Sequence, residues 1–203
     1  MARDNGIDAE RQRWNDRHAA RAGRPGRPSA FLEKYARILP RHGAALDIAC
    51  GTGENAAFLA REFDVTGIDL SDVAIGIARS RADRMPIRGR VRFVAADAGS
   101  FLASEAAGKY TLVTCIKFFD PAIVPAMKRV LAPGGTIAIQ AYTTRDERLR
   151  SSPQMEGKLV TESTLFEPAM FGGYWILVNE LDDFIDDEGH ERQRLDVIAR
   201  KPQ

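Results

Sequence analysis

Between residues 44 and 142 the chain alternates short apolar runs with segments of helical period, and this alternation constrains its fold most. The apolar runs are ALDIAC, DVTGID, VRFVAAD, YTLVTCIKF and GGTIAIQAY. Between them lie ENAAFLAREF, DVAIGIARSRAD, SFLASEAA and PAIVPAMKRVLA, each read as a helix. Strands separated by helices of this length imply βαβ crossovers and a mainly parallel sheet. Their near-continuous apolar character suits strands covered on both faces. Past residue 143 the pattern changes. RDERLRSSPQMEGKLV reads as a polar surface loop and TESTLFEPAMF as a short helix. YWILVNELDDFIDD and QRLDVIARK read as two strands joined at DEGHER, a hairpin that closes the sheet with an antiparallel strand. The expectation is a doubly wound α/β fold: a mainly parallel, seven-stranded sheet with helices on both faces.

A length of 203 residues suits one such domain over residues 31–203. Before it, residues 1–20 are polar with a helical pattern, and RAGRPGRP at 21–28 reads as a solvated linker. A helix is expected in AFLEKYARILPR, where Phe31, Leu32, Tyr35, Ile38 and Leu39 recur at helical spacing. Lys and Arg number 29 against 28 Asp and Glu, so net charge gives no bulk reason to expect nucleic acid. A local arginine cluster between Arg79 and Arg92 is the exception. No run approaches a membrane span, and the start MARDNGIDAERQRW lacks the apolar centre of a secretory leader. Cys50 and Cys115 have neither metal-ligand spacing nor the numbers of a disulfide scaffold. They are expected to be reduced, in a cytoplasmic protein whose partner is a small-molecule substrate. Oligomeric state is left open.

One residue breaks the apolar rule. ALDIACGTGENAAFLA carries Asp47 inside a strand, just before a turn with Gly51 and Gly53. Strand, glycine turn and helix together form a ligand site at the carboxyl ends of the strands. The letters Gly51-Thr52-Gly53-Glu54-Asn55-Ala56 satisfy the dinucleotide fingerprint. A pyrophosphate there would face the negative charges of Asp47 and Glu54. A cationic ligand suits them better, and S-adenosylmethionine carries an ammonium, a sulfonium and no phosphate. Asp47 would pair with the ammonium. Asp69, ending the next strand about 20 residues beyond the turn, would accept from a ribose diol. Asp97, ending the third, would accept from an adenine amino group while Ala98 donates its N–H to the ring.

LDIACGTGEN, VTGIDLS, VRFVAADA and LAPGGTIAI resemble the motifs of class I S-adenosylmethionine-dependent methyltransferases, in order and spacing, over residues 44–140. Trp14-Asn15-Asp16-Arg17 and the closing VIARKP resemble the small tellurite-resistance-type and thiopurine-type members. The resemblance implies a Rossmann-like fold, with Asp47, Gly51 and Gly53 holding the methionine moiety and Asp69 the ribose. It implies Leu70 flanking the adenine, and Asp97 with Ala98 reading its edge. Ala49 lies in the same turn, where many members carry the first glycine. Cys115 and Ile116 would lie near the methyl group. Trp14 and Arg17, in an N-terminal segment of residues 1–30, would close over the site, with Arg17 near the ligand carboxylate.

Plainer readings stand beside these. Asp47, Asp69 and Asp97 also suit local caps and strand-end turns. Trp14 suits a packing anchor, Arg17 a solvated charge, and Cys115 a small buried side chain. The acidic run Asp182, Asp183, Asp186, Asp187 and Glu188 lacks the spacing of a calcium loop, so no metal is expected. Lys117, Tyr142, Arg145 and His18 are candidates on the acceptor side, none singled out as a general base. Two rival functions remain: a non-catalytic binder of the same cofactor, and an NAD(P)-dependent oxidoreductase.

Overall fold

The computed structural model describes residues 2–24, 26–87, 89–151, 155, 157–161, 163, 168–185 and 189–203. They divide into two compact units, Met1–Glu105 and Ala106–Gln203.

In the first unit, β1 (Ala44–Ile48), β2 (Asp64–Asp69) and β3 (Val91–Ala95) pair in parallel in the order β3-β2-β1. Helices α3 (Glu54–Leu59), α4 (Asp72–Ala82) and α5 (Ala98–Ser104) follow them in turn, after α1 (Ala2–Ala20) and α2 (Ala30–Tyr35). Leu46, Ile48 and Ile68 are fully buried, and Ala56, Leu59, Ala74, Ile75 and Ala78 of α3 and α4 are buried with them. Helix starts follow local chemistry. The Ser71 hydroxyl accepts from the Ala74 N–H at 3.1 Å to cap α4, and the Asp97 carboxylate accepts from the Ser100 N–H at 2.9 Å to cap α5.

In the second unit, β4 (Tyr110–Ile116) pairs in parallel with β5 (Leu131–Tyr142), and β7 (Glu191–Arg200) lies antiparallel between β5 and β6 (Trp175–Ile185). The hairpin expected from sequence is therefore present, its second strand inserted beside β5. The turn residues 186–188, with three of the acids of the run, lie outside the described residues. Short helices α7 (Glu147–Arg150) and α8 (Pro168–Phe171) fall in the 143–173 segment, the first in a stretch read as loop and the second in one read as helix.

Several boundaries differ from expectation. α2 stops at Tyr35 and the chain then turns, so Ile38 is 37% exposed while Leu39 is buried. α3 ends at Leu59, not Phe63. The segment expected as one helix over 121–132 is a 3-10 turn, Pro121–Ile123, then α6 (Val124–Val130). Leu131 already pairs with Tyr110, and the register shifts before Thr136. Asp120 caps the 3-10 turn by accepting from the Ala122 N–H at 2.8 Å, with Pro121 at its first position.

The turn after β1 combines three left-handed backbones, at Ala49, Gly51 and Gly53. Ala49 has φ 54° in the left-handed region, where glycine is favoured, and Gly53 has φ 87°. A Cβ on Gly53 would lie 2.8 Å from Phe93 Cζ and 2.9 Å from Ala78 Cβ. The two substitutions should therefore move stability in opposite directions. Ala49→Gly relieves a left-handed alanine, so urea unfolding should show a gain of up to about 1 kcal/mol rather than the usual Ala→Gly loss. Gly53→Ala adds both strain and a clash, and should lose about 2 kcal/mol or more.

Candidate functional site

The site in the first unit is organised by Asp69, at the carboxyl end of β2. Its Oδ2 accepts from the Gly51 N–H at 2.8 Å and its Oδ1 from the Ser71 N–H at 2.8 Å. One carboxylate thus holds the β1–α3 turn and the β2–α4 turn together. Each oxygen retains a lone pair for a further donor. The turn is closed by Cys50 N–H to the Ile68 carbonyl at 2.9 Å and Gly53 N–H to the Cys50 carbonyl at 3.0 Å. Gly51 itself has φ 54°, and a Cβ built there would meet only His18, whose Cε1 lies 3.6 Å away.

Asp47 is 1% exposed on β1, directly opposite Gly67 in the β1–β2 register. Cys50, in the same turn, is buried, and its thiol pKa is pushed well up by desolvation first and by the Asp47 and Asp69 charges next. It is a neutral thiol, its Sγ donating to the Gly51 carbonyl at 3.7 Å, and not an activated nucleophile. Leu70 follows Asp69 and is half-buried, as are Asp97 and Ala98, which do not end the third strand as expected: β3 stops at Ala95, Asp97 is the cap of α5 and Ala98 its first residue. Asp97 does act as a cap: its Oδ1 takes both the N–H and the hydroxyl of Ser100, at 2.9 and 2.8 Å.

Glu54 requires a correction. Its carboxylate does not stand unscreened at the helix start. It is paired with Arg81 and accepts from Thr52 Oγ1 at 2.7 and 2.8 Å. An arginine 27 residues away neutralises it, so its share of the case against a phosphate lapses and Asp47 carries that case alone.

α1 meets the site through Arg11, Asn15 and His18, of which the sequence names His18 as an acceptor-side candidate and holds Asn15 only within the family-like segment. Asn15 Oδ1 accepts from Ser71 Oγ at 2.7 Å and from the Val73 N–H at 3.3 Å, and Arg11 Nε lies 3.9 Å from Asp72 Oδ2. His18 stands over Gly51, half-buried, with its imidazole pKa lowered chiefly by desolvation against the opposing pull of Asp69. Arg11, Asn15 and His18 are spaced i, i+4, i+7, one face of a helix. That spacing is the signal the sequence holds for them. Trp14 is half-buried with its ring 6.1 Å from that of His18, and Arg17 is exposed with its guanidinium 5.2 Å from the Trp14 ring. Trp14 thus braces His18, and Arg17 covers Trp14.

In the second unit Cys115 and Ile116 end β4, 1% and 6% exposed. Cys115 Sγ donates to the Phe118 carbonyl at 3.1 Å. Lys117 follows at φ 62°, exposed, its N–H bonded to the Gln140 carbonyl at 2.8 Å. At the ends of β5 and β7 lies a buried polar row. Gln140 Nε2 donates to Asp196 at 2.7 Å, Thr143 Oγ1 to Gln193 at 3.0 Å, and Arg192 Nη1 to both Asp146 oxygens at 2.8 and 2.6 Å. Asp182 and Asp183 of the acidic run accept from Arg194 and Gln193. Among the described residues no group of three or more His, Cys, Asp or Glu is placed to hold a metal, and no helix is long and apolar enough to cross a membrane.

Comparison with known proteins agrees with this geometry. Residues 45–135 match the family model of the methyltransferase domain. O-methyltransferase cnsE of Penicillium expansum is 33% identical over 140 residues, covering 66% of this chain and 49% of that protein. The chain spans about half the length of the curated relatives it matches. Among solved structures, a SAM-dependent methyltransferase from Methanosarcina mazei shares 20% identity at a TM-score of 0.69, covering 87% of this chain and 99% of that one. TehB from Haemophilus influenzae shares 18% at 0.68, covering 93% of this chain and 67% of that one. Both likenesses span the two units and show the expected Rossmann-like fold, a seven-stranded, mostly parallel sheet with antiparallel C-terminal strands. Residues 45–135 therefore match a methyltransferase domain, and the chain shares the fold of the Methanosarcina mazei SAM-dependent methyltransferase and of TehB.

Proposed function

We propose that the chain is an S-adenosylmethionine-dependent methyltransferase acting on a small-molecule acceptor. Residues 31–203 form its catalytic domain, and 1–30 its cover. The observation that carries this reading is the Asp69 carboxylate bonded to the Gly51 N–H in the glycine turn that His18 covers, with Asp47 buried on β1. The residues fit the cofactor. Gly51 leaves room for close approach, Asp47 supplies a buried anion for an ammonium, and Asp69 keeps acceptor capacity for a ribose diol. Leu70 flanks the adenine in this reading, and Asp97 and Ala98 take its edge. Cys115 and Ile116 are carried over from the family resemblance as the residues near the methyl group. Ala49 and Gly53 shape the turn, Trp14 and His18 cover it, and Arg17 lies towards the ligand carboxylate.

When bound, the cofactor would supply an electrophilic methyl group for an acceptor lone pair, and Asp47, Gly51 and Asp69 would hold it. The protein's part is alignment and exclusion of water, and alignment alone contributes roughly 7–11 kcal/mol in favourable cases. No side chain is assigned as general base. The relatives' names make an oxygen acceptor the first class to screen. Two buried thiols suit a reducing, cytoplasmic setting.

Calorimetric titration tests the assignment. S-adenosylhomocysteine should bind wild type in the micromolar range, and Asp69→Ala should weaken it about tenfold or more, the loss of a charge-assisted bond worth roughly 1.5–3 kcal/mol. Folded wild type that binds neither S-adenosylmethionine nor S-adenosylhomocysteine, but is stabilised by NADH, would overturn the reading.

His18 makes a second prediction. Its folded pKa lies below its ordinary 6.5, so the unfolded chain takes up a proton first as pH falls. Its neutral, packed form thus contributes stability above about pH 6.5, and that share is lost on acidification through the folded pKa. His18→Gln should flatten the fall of the thermal midpoint between about pH 7 and 5.5. An identical pH profile would show that His18 does not titrate against the turn.

A further inference from the structure

We infer that Arg81 is a positioning residue for the cofactor turn, its guanidinium tying that turn to the strap of residues 21–28 that carries α1. The inference rests on the proposed function and deepens it. Arg81 lies in the last turn of α4, outside the motifs that carry the family resemblance. Its Nη1 donates to the Thr52 carbonyl at 3.3 Å and pairs with Glu54, the first residue of α3. Its Nη2 donates to the Arg24 carbonyl at 2.9 Å. The Thr52 carbonyl belongs to the peptide unit whose N–H, on Gly53, bonds to the Cys50 carbonyl at 3.0 Å. That peptide is held from both sides, and its orientation fixes the backbone between Gly51 and Gly53.

The strap is fitted to this arrangement. Gly26 lies against the Glu54 carboxylate, where a Cβ would collide with it. Ser29 N–H donates to Asn55 Oδ1 at 2.8 Å, so the strap is fastened again one residue further along α3. The Arg81 and Glu54 side chains are 27% and 20% exposed, partly shielded from water, which strengthens the pair relative to a surface one. A planar fork with donors on two nitrogens reaches the turn with one and the strap with the other. A lysine ammonium is a single point and does not span both.

The test compares Arg81→Ala and Arg81→Lys with wild type. S-adenosylhomocysteine affinity is read by calorimetry. Ligand protection of the strap is read by tryptic cleavage at Arg21–Ala22, because bonds preceding Pro25 and Pro28 resist trypsin. In wild type the ligand should slow this cleavage about tenfold. In Arg81→Ala affinity should fall about tenfold and the protection should vanish, and Arg81→Lys should restore neither. Should Arg81→Ala not fold, Gly26→Ala, whose Cβ displaces either the strap or the Glu54 carboxylate that Arg81 pairs with, should show the same loss of protection with weaker binding. A folded Arg81→Ala with wild-type affinity and protection, even at a lowered thermal midpoint, overturns the inference and marks Arg81 as a structural pin. Wild type that binds the ligand without protecting Arg21–Ala22 overturns it too. Wild type that binds no ligand is a different failure: it removes the proposed function, and this inference with it.

Discussion

The two oxygens of Asp69 each hold a backbone N–H from a different turn, and the site depends on that sharing. β1 and β2 run in parallel, so their carboxyl ends emerge side by side and both following turns meet at one edge of the sheet. Turns at such an edge present N–H groups that no strand can satisfy. A carboxylate at the last residue of β2 accepts from both at hydrogen-bond distance, and bonds to a charged acceptor are stronger than neutral ones. The Gly51 backbone is thereby fixed with its Cβ side facing His18. Without that acceptor the turn, left-handed at Ala49, Gly51 and Gly53, would have fewer contacts to offset its strain.

β1, β2, β4 and β5 were legible because burial on both faces leaves a continuous apolar run; β3, expected to be covered likewise, buries only Phe93, and β6 is exposed along most of its length. Leu46, Ile48, Ile68, Leu112, Ile137 and Ile139 are all fully buried, as that pattern requires. Helix ends were less legible. α2 and α3 are short, and their apolar periodicity continues into turns where Leu39, Ala60 and Phe63 are still buried. Periodicity records burial, not hydrogen bonding, so it overruns the helix. The early start of β5 has the same root: Leu131 is buried whether helical or extended, and only its pairing with Tyr110 decides.

The acids were legible for the opposite reason. A carboxylate inside an apolar strand costs free energy unless a partner offsets it, and Asp47 is as buried as the pattern implies. The contacts of α1 were not legible. The helix is polar along its length, so nothing in its composition marks the face that docks. Asn15 and His18 act through single contacts to Ser71, Val73 and Gly51, which only the folded chain brings near. Glu54 misleads for a related cause, since its charge is cancelled by Arg81 from a neighbouring helix.

This difference in how parts are held follows their proposed tasks. The inner sheet and Asp47 are fixed by burial, and Asp69 and Asp97 by the turn N–H groups they accept from. α1 buries little apolar surface, and few polar bonds hold it against the turn, so opening it costs far less than disturbing the core. A cover over a site that must admit and release a ligand has to lie at that low end. It also has to return to one place, and a polar helix without an apolar seam has little to define that place. Asn15 on Ser71, and the strap bonds at Arg24 and Ser29, supply the missing specificity by geometry instead of by burial. The arginines and glycines of residues 21–28, legible in sequence only as a solvated linker, are on this account the hinge side of the site.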